Sequence, residues 1–174
     1  MFASRSTPDL RLELAALHRE SFVWALHCCR GDAERAKDAL QEAYLKILAG
    51  RARFGGRSSF KTWLLALIRL TAADEWRRVE RDGARLAAWN ADPPELVATP
   101  DDALIVEQTQ AGVRAALNCL PARQREVLTL VFYHDLTLDE AAGVMGVSPG
   151  TARTHYDRAK SQLRATLTRC ETLP

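Results

Sequence analysis

Basic and aromatic side chains are interleaved between residues 51 and 63, in a stretch without any acidic residue. The basic members are Arg51, Arg53, Arg57 and Lys61, and the aromatic members are Phe54, Phe60 and Trp63. This combination suits single-stranded nucleic acid, because positive charges follow the phosphates and aromatic rings stack on unpaired bases. A simpler interpretation is that Phe60 and Trp63 are core residues of a helix, and the sequence leaves both interpretations open.

A second set of polar side chains lies near the C-terminus, between residues 151 and 158. It consists of Thr151, Arg153, Thr154, His155 and Arg158. On a helix, most of these side chains lie opposite Ala152 and Tyr156, with the histidine to one side. Arginine can donate two hydrogen bonds to a guanine edge or neutralise phosphates, and threonine can position the backbone of DNA. The alternative is a solvated basic helix face, but the turn signals described below favour DNA binding.

The remaining reactive residues form neither a catalytic nor a metal-binding pattern. The four histidines are scattered, and no nucleophile, base and orienting group recur at a useful spacing. Cys28 and Cys29 are adjacent, whereas a zinc site needs two separated pairs of ligands. The four cysteines are therefore interpreted as packed thiols. We expect no enzyme activity, no metal and no cofactor.

Helical periodicity dominates the chain, and no stretch alternates with the period of a strand. Apolar spacing predicts one long first helix over about residues 10–28. Asp32 is predicted to cap a second helix, whose inner stripe runs from Ala36 to Leu48. A third helix is predicted from Ser59 to about residue 78. These elements make the N-terminal half a small helical bundle.

The signals around residue 146 predict two short helices joined by a tight turn. Thr137 and Glu140 have the spacing of a capping box. Gly146 suits the left-handed conformation that ends a helix, and Ser148 followed by Pro149 suits the start of the next one. This order of caps and turn predicts a helix-turn-helix, whose second helix enters the major groove of DNA.

Charge divides the chain into three parts. The net charge is +5 over residues 1–81, −5 over residues 82–110 and +2 over residues 111–174. Turn-forming and acidic residues are frequent in the middle part, which predicts an extended linker. The sequence therefore predicts an all-α protein with two small helical domains joined by an extended acidic linker, the second domain ending in the helix-turn-helix.

Composition and hydropathy predict a cytoplasmic protein. The chain is 47% apolar and 26% charged, as in ordinary globular proteins. Its best candidate for a membrane span, residues 63–68, ends at Arg69, far short of the ~20 apolar residues that a span needs. The first residues lack the apolar stretch of a secretory signal. Neither membrane insertion nor export is expected.

Both halves carry motifs of one bacterial family. Residues 38–44 (DALQEAY) and 54–64 (FGGRSSFKTWL) resemble region 2 of extracytoplasmic-function (ECF) sigma factors. Residues 120–127 (LPARQREV) and 138–151 (LDEAAGVMGVSPGT) resemble region 4 of the same family. The motifs occur in the family's order, and the resemblance covers about residues 10–170.

The resemblance implies a promoter-specificity subunit of bacterial RNA polymerase that catalyses nothing itself. Region 2 would bind the clamp helices of the largest polymerase subunit through Asp38, Gln41 and Glu42. It would also recognise and open the −10 element through Arg57, Phe60, Lys61, Trp63 and Arg69. Region 4 would bind the flap of the second-largest subunit and recognise the −35 element through Thr151, Arg153, Thr154, His155 and Arg158. An anti-sigma factor or another regulatory protein is a further partner of the kind that the resemblance implies.

The sequence departs from the family pattern in both regions. Arg35 and Lys37 stand where acidic residues are usual, Ala66 and Leu70 replace an arginine and an asparagine, and Asp157 replaces an aromatic or basic residue. The alternative function is a free-standing helix-turn-helix regulator that needs no polymerase. That alternative leaves residues 54–64 and the acidic linker without a role, and no heptad run suggests a dimerisation helix.

Overall fold

The computed structural model describes residues 7–83, 117 and 119–171, with side chains for residues 9–78, 117 and 119–166. Every regular element within these ranges is helical, which confirms the all-α prediction. The chain separates into two compact units, Met1–Glu95 and Leu96–Pro174. Apart from residues 82 and 83, the predicted linker lies outside the described residues. Its extended form and the predicted boundaries at 81 and 111 remain predictions.

The first unit begins with two helices where the sequence predicts one. Helix α1 covers Thr7–Ala16 and helix α2 covers His18–Cys28, with Leu17 between them at φ −93° and ψ 2°. Backbone hydrogen bonds continue across the interruption, from the Leu17 amide to the Glu13 carbonyl and from the Ser21 amide to the Leu17 carbonyl. Apolar spacing does not detect a departure of one residue, and helix boundaries are uncertain on this scale.

Helix α3 (Ala33–Leu48) and helix α4 (Phe60–Gly83) complete this unit. Asp32 caps α3 as predicted, since its carboxylate accepts a hydrogen bond from the Arg35 amide at 3.1 Å. Ser59 caps α4 through a 3.0 Å hydrogen bond from the Thr62 amide to its hydroxyl. The basic loop between α3 and α4 is therefore held by well-defined helix ends.

The core of the first unit is built where α2, α3 and α4 meet. Small residues on the inner stripe of α3, such as Ala36 and Ala43, are fully buried and let the helices approach closely. The indole of Trp24 is also fully buried and donates a 2.9 Å hydrogen bond to the Leu65 carbonyl. Leu48, which the sequence analysis placed on the inner stripe, is 41% exposed because it lies one residue beyond the buried Ile47.

The second unit contains helix α5 (Ala122–Leu128), helix α6 (Leu138–Met145) and helix α7 (Pro149–Glu171). Proline suits the first turn of a helix, and the sequence predicts Pro121 in that position. In the structure Pro121 lies just before α5. A π-helical turn, Thr129–Tyr133, continues α5 and is absent from the sequence predictions. It is closed by a 3.2 Å hydrogen bond from the His134 amide to the Thr129 carbonyl.

The π-helical turn changes which side chains face the core of the second unit. A π-helix contains one more residue in each hydrogen-bonded turn than an α-helix, so the inward-facing positions shift. Leu130 and His134 are fully buried, whereas Phe132 is 65% exposed. Apolar spacing after Pro121 predicts a helix that carries Val127, Leu128, Val131 and Phe132 on its apolar side. The prediction is wrong for Phe132, because the π-helical turn moves it off the buried side.

Candidate functional site

Helix α6 is closed at both ends by the predicted local motifs. The Thr137 hydroxyl accepts from the Glu140 amide at 3.3 Å, and the Glu140 carboxylate accepts from the Thr137 amide at 3.0 Å. At the other end, Gly146 has φ 67° and ψ 36°. The Val147 amide donates to the Ala142 carbonyl at 3.1 Å, and the Gly146 amide donates to the Gly143 carbonyl at 3.3 Å. Together these two hydrogen bonds make this end a Schellman motif. The capping box and the left-handed glycine are confirmed.

Helix α7 begins at Pro149, and the Ser148 hydroxyl accepts a hydrogen bond from the Thr151 amide at 3.2 Å. Ala142 of α6 is 1% exposed and Ala152 of α7 is fully buried, so small residues lie where the two helices pack. The caps and the packing together form the predicted helix-turn-helix. Its second helix therefore starts in a fixed position on the unit.

Arg153 and Arg158 lie exposed on α7, and neither forms an ion pair within the described parts of the chain. The Thr154 hydroxyl donates to the Gly150 carbonyl at 2.9 Å, and the Thr151 hydroxyl shares a 2.9 Å hydrogen bond with Ser148. Because the two threonine hydroxyls bond within the helix start, the arginines are the principal donors available to DNA. His155 is half-buried beside them.

The inner side of α7 packs against α5 and the π-helical turn. Ala159 joins Leu120 and Leu128 in a small core cluster. The half-buried Tyr156 stacks on Phe132 with ring centroids 6.1 Å apart, and the Lys160 ammonium lies 5.2 Å from the Tyr156 ring centroid. These contacts orient α7 so that its arginines face outward.

Three aromatic rings form a compact cluster in the first unit, one from the loop before α4 (Phe54) and two from the start of α4 (Phe60 and Trp63). The ring centroids of Phe54, Phe60 and Trp63 lie 5.5–5.6 Å from one another. Phe60 is only 8% exposed, whereas Phe54 and Trp63 are half-buried. An unpaired base could therefore stack on Phe54 or Trp63, with Phe60 supporting both rings from below.

The basic side chains of this segment differ in their exposure and in whether they already pair with another group. Arg57 is exposed and forms no ion pair with the described residues. The Lys61 ammonium lies 2.6 Å from the Glu20 carboxylate on α2. The Arg53 guanidinium donates to the Gly50 carbonyl at 3.4 Å, and Arg69 is half-buried further along α4. Arg57 is thus directly available to a phosphate, whereas Lys61 is held by a carboxylate.

The predicted polymerase-binding residues of α3 do not all share one environment. Asp38 and Gln41 are exposed, and Glu42 is half-buried with its carboxylate 3.8 Å from the Arg51 guanidinium. Leu45, 47% exposed, and Leu48 continue the line of Asp38 and Gln41 along the helix. The face is therefore amphipathic.

A groove of about 420 Å³ lies beside this face, between α2 and α3. It is lined by His18, Phe22, Lys37, Leu40, Gln41, Tyr44, Leu45 and Leu48. The sequence analysis did not single out Leu45 and Leu48 as binding residues. Leu45 could have been identified from the sequence, because it is an apolar residue that lies off the inner stripe of its helix and is therefore available to a partner.

The two basic residues that depart from the family pattern on α3 are accommodated locally. The Arg35 guanidinium lies 4.5 Å from the Trp76 ring centroid and 3.2 Å from the Asp32 carboxylate. The Lys37 ammonium donates a 2.7 Å hydrogen bond to the Glu34 carboxylate, and this charged hydrogen bond raises the pKa of Lys37. Arg35 therefore serves the packing of the first unit.

No three His, Cys, Asp or Glu side chains within the described ranges converge as metal ligands would. Cys29 is 2% exposed, and burial, reinforced by the nearby Asp32 carboxylate, raises the pKa of its thiol to about 11. Such a thiol stays protonated at neutral pH and is a poor nucleophile and a poor metal ligand. None of the described helices is both long enough and apolar enough to span a bilayer.

Comparison with known families matches both units to one class of transcription protein. Residues 16–82 match Sigma-70 region 2, and residues 111–163 match Sigma-70, region 4. The chain is 30% identical to the ECF RNA polymerase sigma factor SigX of Bacillus subtilis, over 84% of this chain and 77% of SigX. It is 32% identical to the ECF RNA polymerase sigma factor SigC of Mycobacterium tuberculosis, over 82% and 76% of the two chains. The chain belongs to the ECF sigma factors of RNA polymerase.

Solved structures of sigma factors share the fold. The sigma factor RpoE of Bartonella quintana, solved in complex with the anti-sigma factor NepR, superposes with a TM-score of 0.75 at 22% identity. That match covers 92% of this chain and 97% of RpoE. CnrH, solved with the cytosolic domain of CnrY, superposes with a TM-score of 0.58 at 20% identity, covering 90% of this chain and 86% of CnrH.

Proposed function

We propose that this chain binds core RNA polymerase and directs initiation at promoters recognised through −35 and −10 elements. Membership of the ECF family supports a role in transcription initiation with RNA polymerase. The observation that carries the finer proposal is that one chain combines an arginine-bearing helix-turn-helix with a separate basic loop built on clustered aromatic rings. Duplex DNA suits the first feature and a melted strand suits the second.

In this proposal, residues 111–174 recognise the −35 element. Arg153 and Arg158 supply the hydrogen bonds to base edges or phosphates, while Thr151, Thr154 and His155 shape the helix surface around them. Asp157 is exposed between the arginines. Its carboxylate would repel phosphate, or accept a hydrogen bond from the amino group of cytosine.

Residues 1–81 recognise and open the −10 element. Trp63 and Phe54 offer ring surface to unpaired bases, Phe60 supports them, and Arg57 neutralises the backbone. Lys61 and Arg69 extend the basic surface along α4. Residues 82–110 join the two parts, and their net charge of −5 suits a strap lying in a channel built to hold RNA.

The polymerase contact of the first unit lies on α3. Asp38, Gln41 and Glu42 contact the clamp helices of the largest subunit, and the exposed Leu45 and Leu48 extend this contact into the apolar groove. The second unit contacts the flap of the second-largest subunit. The protein acts in the cytoplasm and performs no catalysis of its own. Because RpoE and CnrH were solved with NepR and CnrY, an anti-sigma factor is proposed as a regulatory partner.

DNA protection with and without core polymerase tests this proposal against the free-standing regulator. A library of promoter-length fragments is incubated with the chain alone, with core polymerase alone and with both. A sigma factor gives protection over two elements only when both proteins are present. Equal protection by the chain alone, at a single site, supports the free-standing regulator and contradicts the proposal.

A further inference from the structure

The ion pair between Lys61 and Glu20 joins the proposed DNA-facing segment to helix α2, which has no role in the proposed DNA contacts. The two charged groups lie 2.6 Å apart, on α4 and α2, and their side chains are 26% and 40% exposed. Lys61 directly follows Phe60, whose ring belongs to the aromatic cluster. The carboxylate therefore lies at the edge of the surface that would receive a melted strand.

Two electrostatic effects hold Lys61 on Glu20 when no DNA is bound. Lys61 lies in the first turn of α4, where the helix dipole disfavours a positive charge. The nearby carboxylate offsets that effect, and the two opposite charges, 2.6 Å apart, also attract each other directly. An approaching phosphate meets this carboxylate as a like charge, so the two anions compete for one cation.

Arg57 presents the opposite case within the same segment. It is exposed, and no acidic group in the described parts of the chain pairs with it. Binding a phosphate at Arg57 displaces no carboxylate, whereas binding one at Lys61 requires the Glu20 contact to weaken. Arg57 therefore binds the phosphates of any strand, whereas Lys61 binds only a strand that can displace the Glu20 carboxylate.

We propose that Glu20 is a specificity-determining residue, which competes with the DNA backbone for Lys61 and so suppresses binding of arbitrary single strands. The inference rests on the proposed role of Lys61 at the −10 element. A strand whose bases also stack on the aromatic cluster gains enough additional binding to displace the carboxylate. A strand that is held by its phosphates alone does not gain enough binding to displace the carboxylate.

The test compares the full-length wild-type chain with Glu20→Gln for binding a fluorescent oligothymidine without polymerase. Glutamine keeps the shape of glutamate and removes its charge. Since a partly exposed ion pair contributes up to about 1 kcal/mol, we expect affinity to rise roughly threefold to fivefold. One additional phosphate contact also steepens the dependence of log affinity on log salt by about 0.7.

Glu34→Gln is the matched control, because Glu34 forms a 2.7 Å pair with Lys37 on α3 and its replacement changes the net charge equally. This control should change affinity by less than half as much as Glu20→Gln. A second control places Glu20→Gln in a Lys61→Ala background, where the gain should disappear. An equal gain in Glu34→Gln, or a gain that persists without Lys61, overturns the inference.

Promoter opening separates the failure of this inference from the failure of the proposed function. Holoenzymes containing wild-type, Lys61→Ala or Glu20→Gln protein are compared by permanganate reactivity of −10 thymines. If Lys61→Ala opens the promoter normally, the proposed role of Lys61 is wrong. If Lys61→Ala is defective and Glu20→Gln binds oligothymidine exactly as the wild type does, only the inference about Glu20 is wrong. Thermal unfolding of each of the four variants verifies that it is folded.

Discussion

For single residues, the proposed DNA recognition depends on which hydrogen-bond donors on α7 are available. The hydroxyls of Thr151 and Thr154 bond within the start of the helix, whereas Arg153 and Arg158 extend from it without ion pairs among the described residues. An arginine that pairs with guanine distinguishes bases, but one that contacts phosphate binds all sequences equally. Replacing such an arginine by alanine therefore relaxes the preference at one base in the first case and weakens binding to every sequence in the second.

Arg153→Ala is expected to relax the preference at one base position of the −35 element. The lost discrimination should be about 1–3 kcal/mol at that position, measured as holoenzyme affinity across a library of −35 sequences. Ser161→Ala, at an exposed position further along the same helix, serves as the control. If every sequence loses affinity equally, Arg153 contacts phosphate and its proposed role in base recognition is wrong.

The sequence predicts the position of a residue on its own helix, but not a contact with a residue on another helix. The exposed positions of Arg153 and Arg158 followed from helical spacing, because Ala152 and Ala159 mark the opposite, buried side. The ion pair of Lys61 could not be predicted in this way. Its partner Glu20 lies on another helix, and only the packing of α2 against α4 brings the two side chains together.

At the scale of elements, the helix-turn-helix depends on one left-handed glycine. Gly146 has φ 67°, and a Cβ atom placed there would meet no atom within 4 Å. The same space is open around Gly143, inside α6, which has no positive φ. The two positions therefore allow backbone strain to be measured without any difference in crowding.

Gly146→Ala is expected to destabilise the second unit by about 1–2 kcal/mol, because a side chain disfavours the left-handed conformation. Gly143→Ala should instead stabilise it by about 0.5–1 kcal/mol, since alanine is the better residue within a helix. Amide hydrogen exchange of residues 138–160 in the full chain measures both changes. Similar effects of the two substitutions would show that the φ value of Gly146 does not determine the stability of this turn.

The amphipathic face of α3 gives a second prediction at this scale. Replacing Leu45 and Leu48 by glutamine should weaken binding to core polymerase at least tenfold, because each leucine can bury apolar area worth about 1 kcal/mol or more. Leu45 is 47% and Leu48 41% exposed, so each substitution should lower the unfolding stability by no more than about 1 kcal/mol. Leu70→Gln, 53% exposed on α4, is the matched control. Unchanged affinity of the double variant would remove this face from the polymerase interface.

Local motifs were the part of these elements that the sequence predicted well. The capping box, the glycine turn and the start of α7 each depend on residues within about four positions of one another. The interruption at Leu17 and the π-helical turn were missed, because neither changes the spacing of apolar residues enough to be detected. Phe132 is exposed because of the π-helical turn, and Leu48 is exposed because it lies one residue beyond the buried Ile47.

For the whole molecule, the proposed function divides two DNA elements between two compact units of one chain. In the proposed function, each unit contributes one kind of DNA contact and neither provides a catalytic group. Promoter-specific initiation therefore needs both units together with the polymerase. This requirement distinguishes a sigma factor from a regulator that binds DNA independently.

Run-off transcription with purified core polymerase tests whether this chain directs promoter-specific initiation. The templates are promoter fragments selected by their protection in the presence of the chain and core polymerase. We expect transcripts with a single defined start only when chain and core are combined. We also expect these transcripts to be lost when either the −35 or the −10 segment of the template is scrambled. Transcription that starts at the same rate and position without the chain, or that is unaffected by scrambling both segments, would contradict the proposed function.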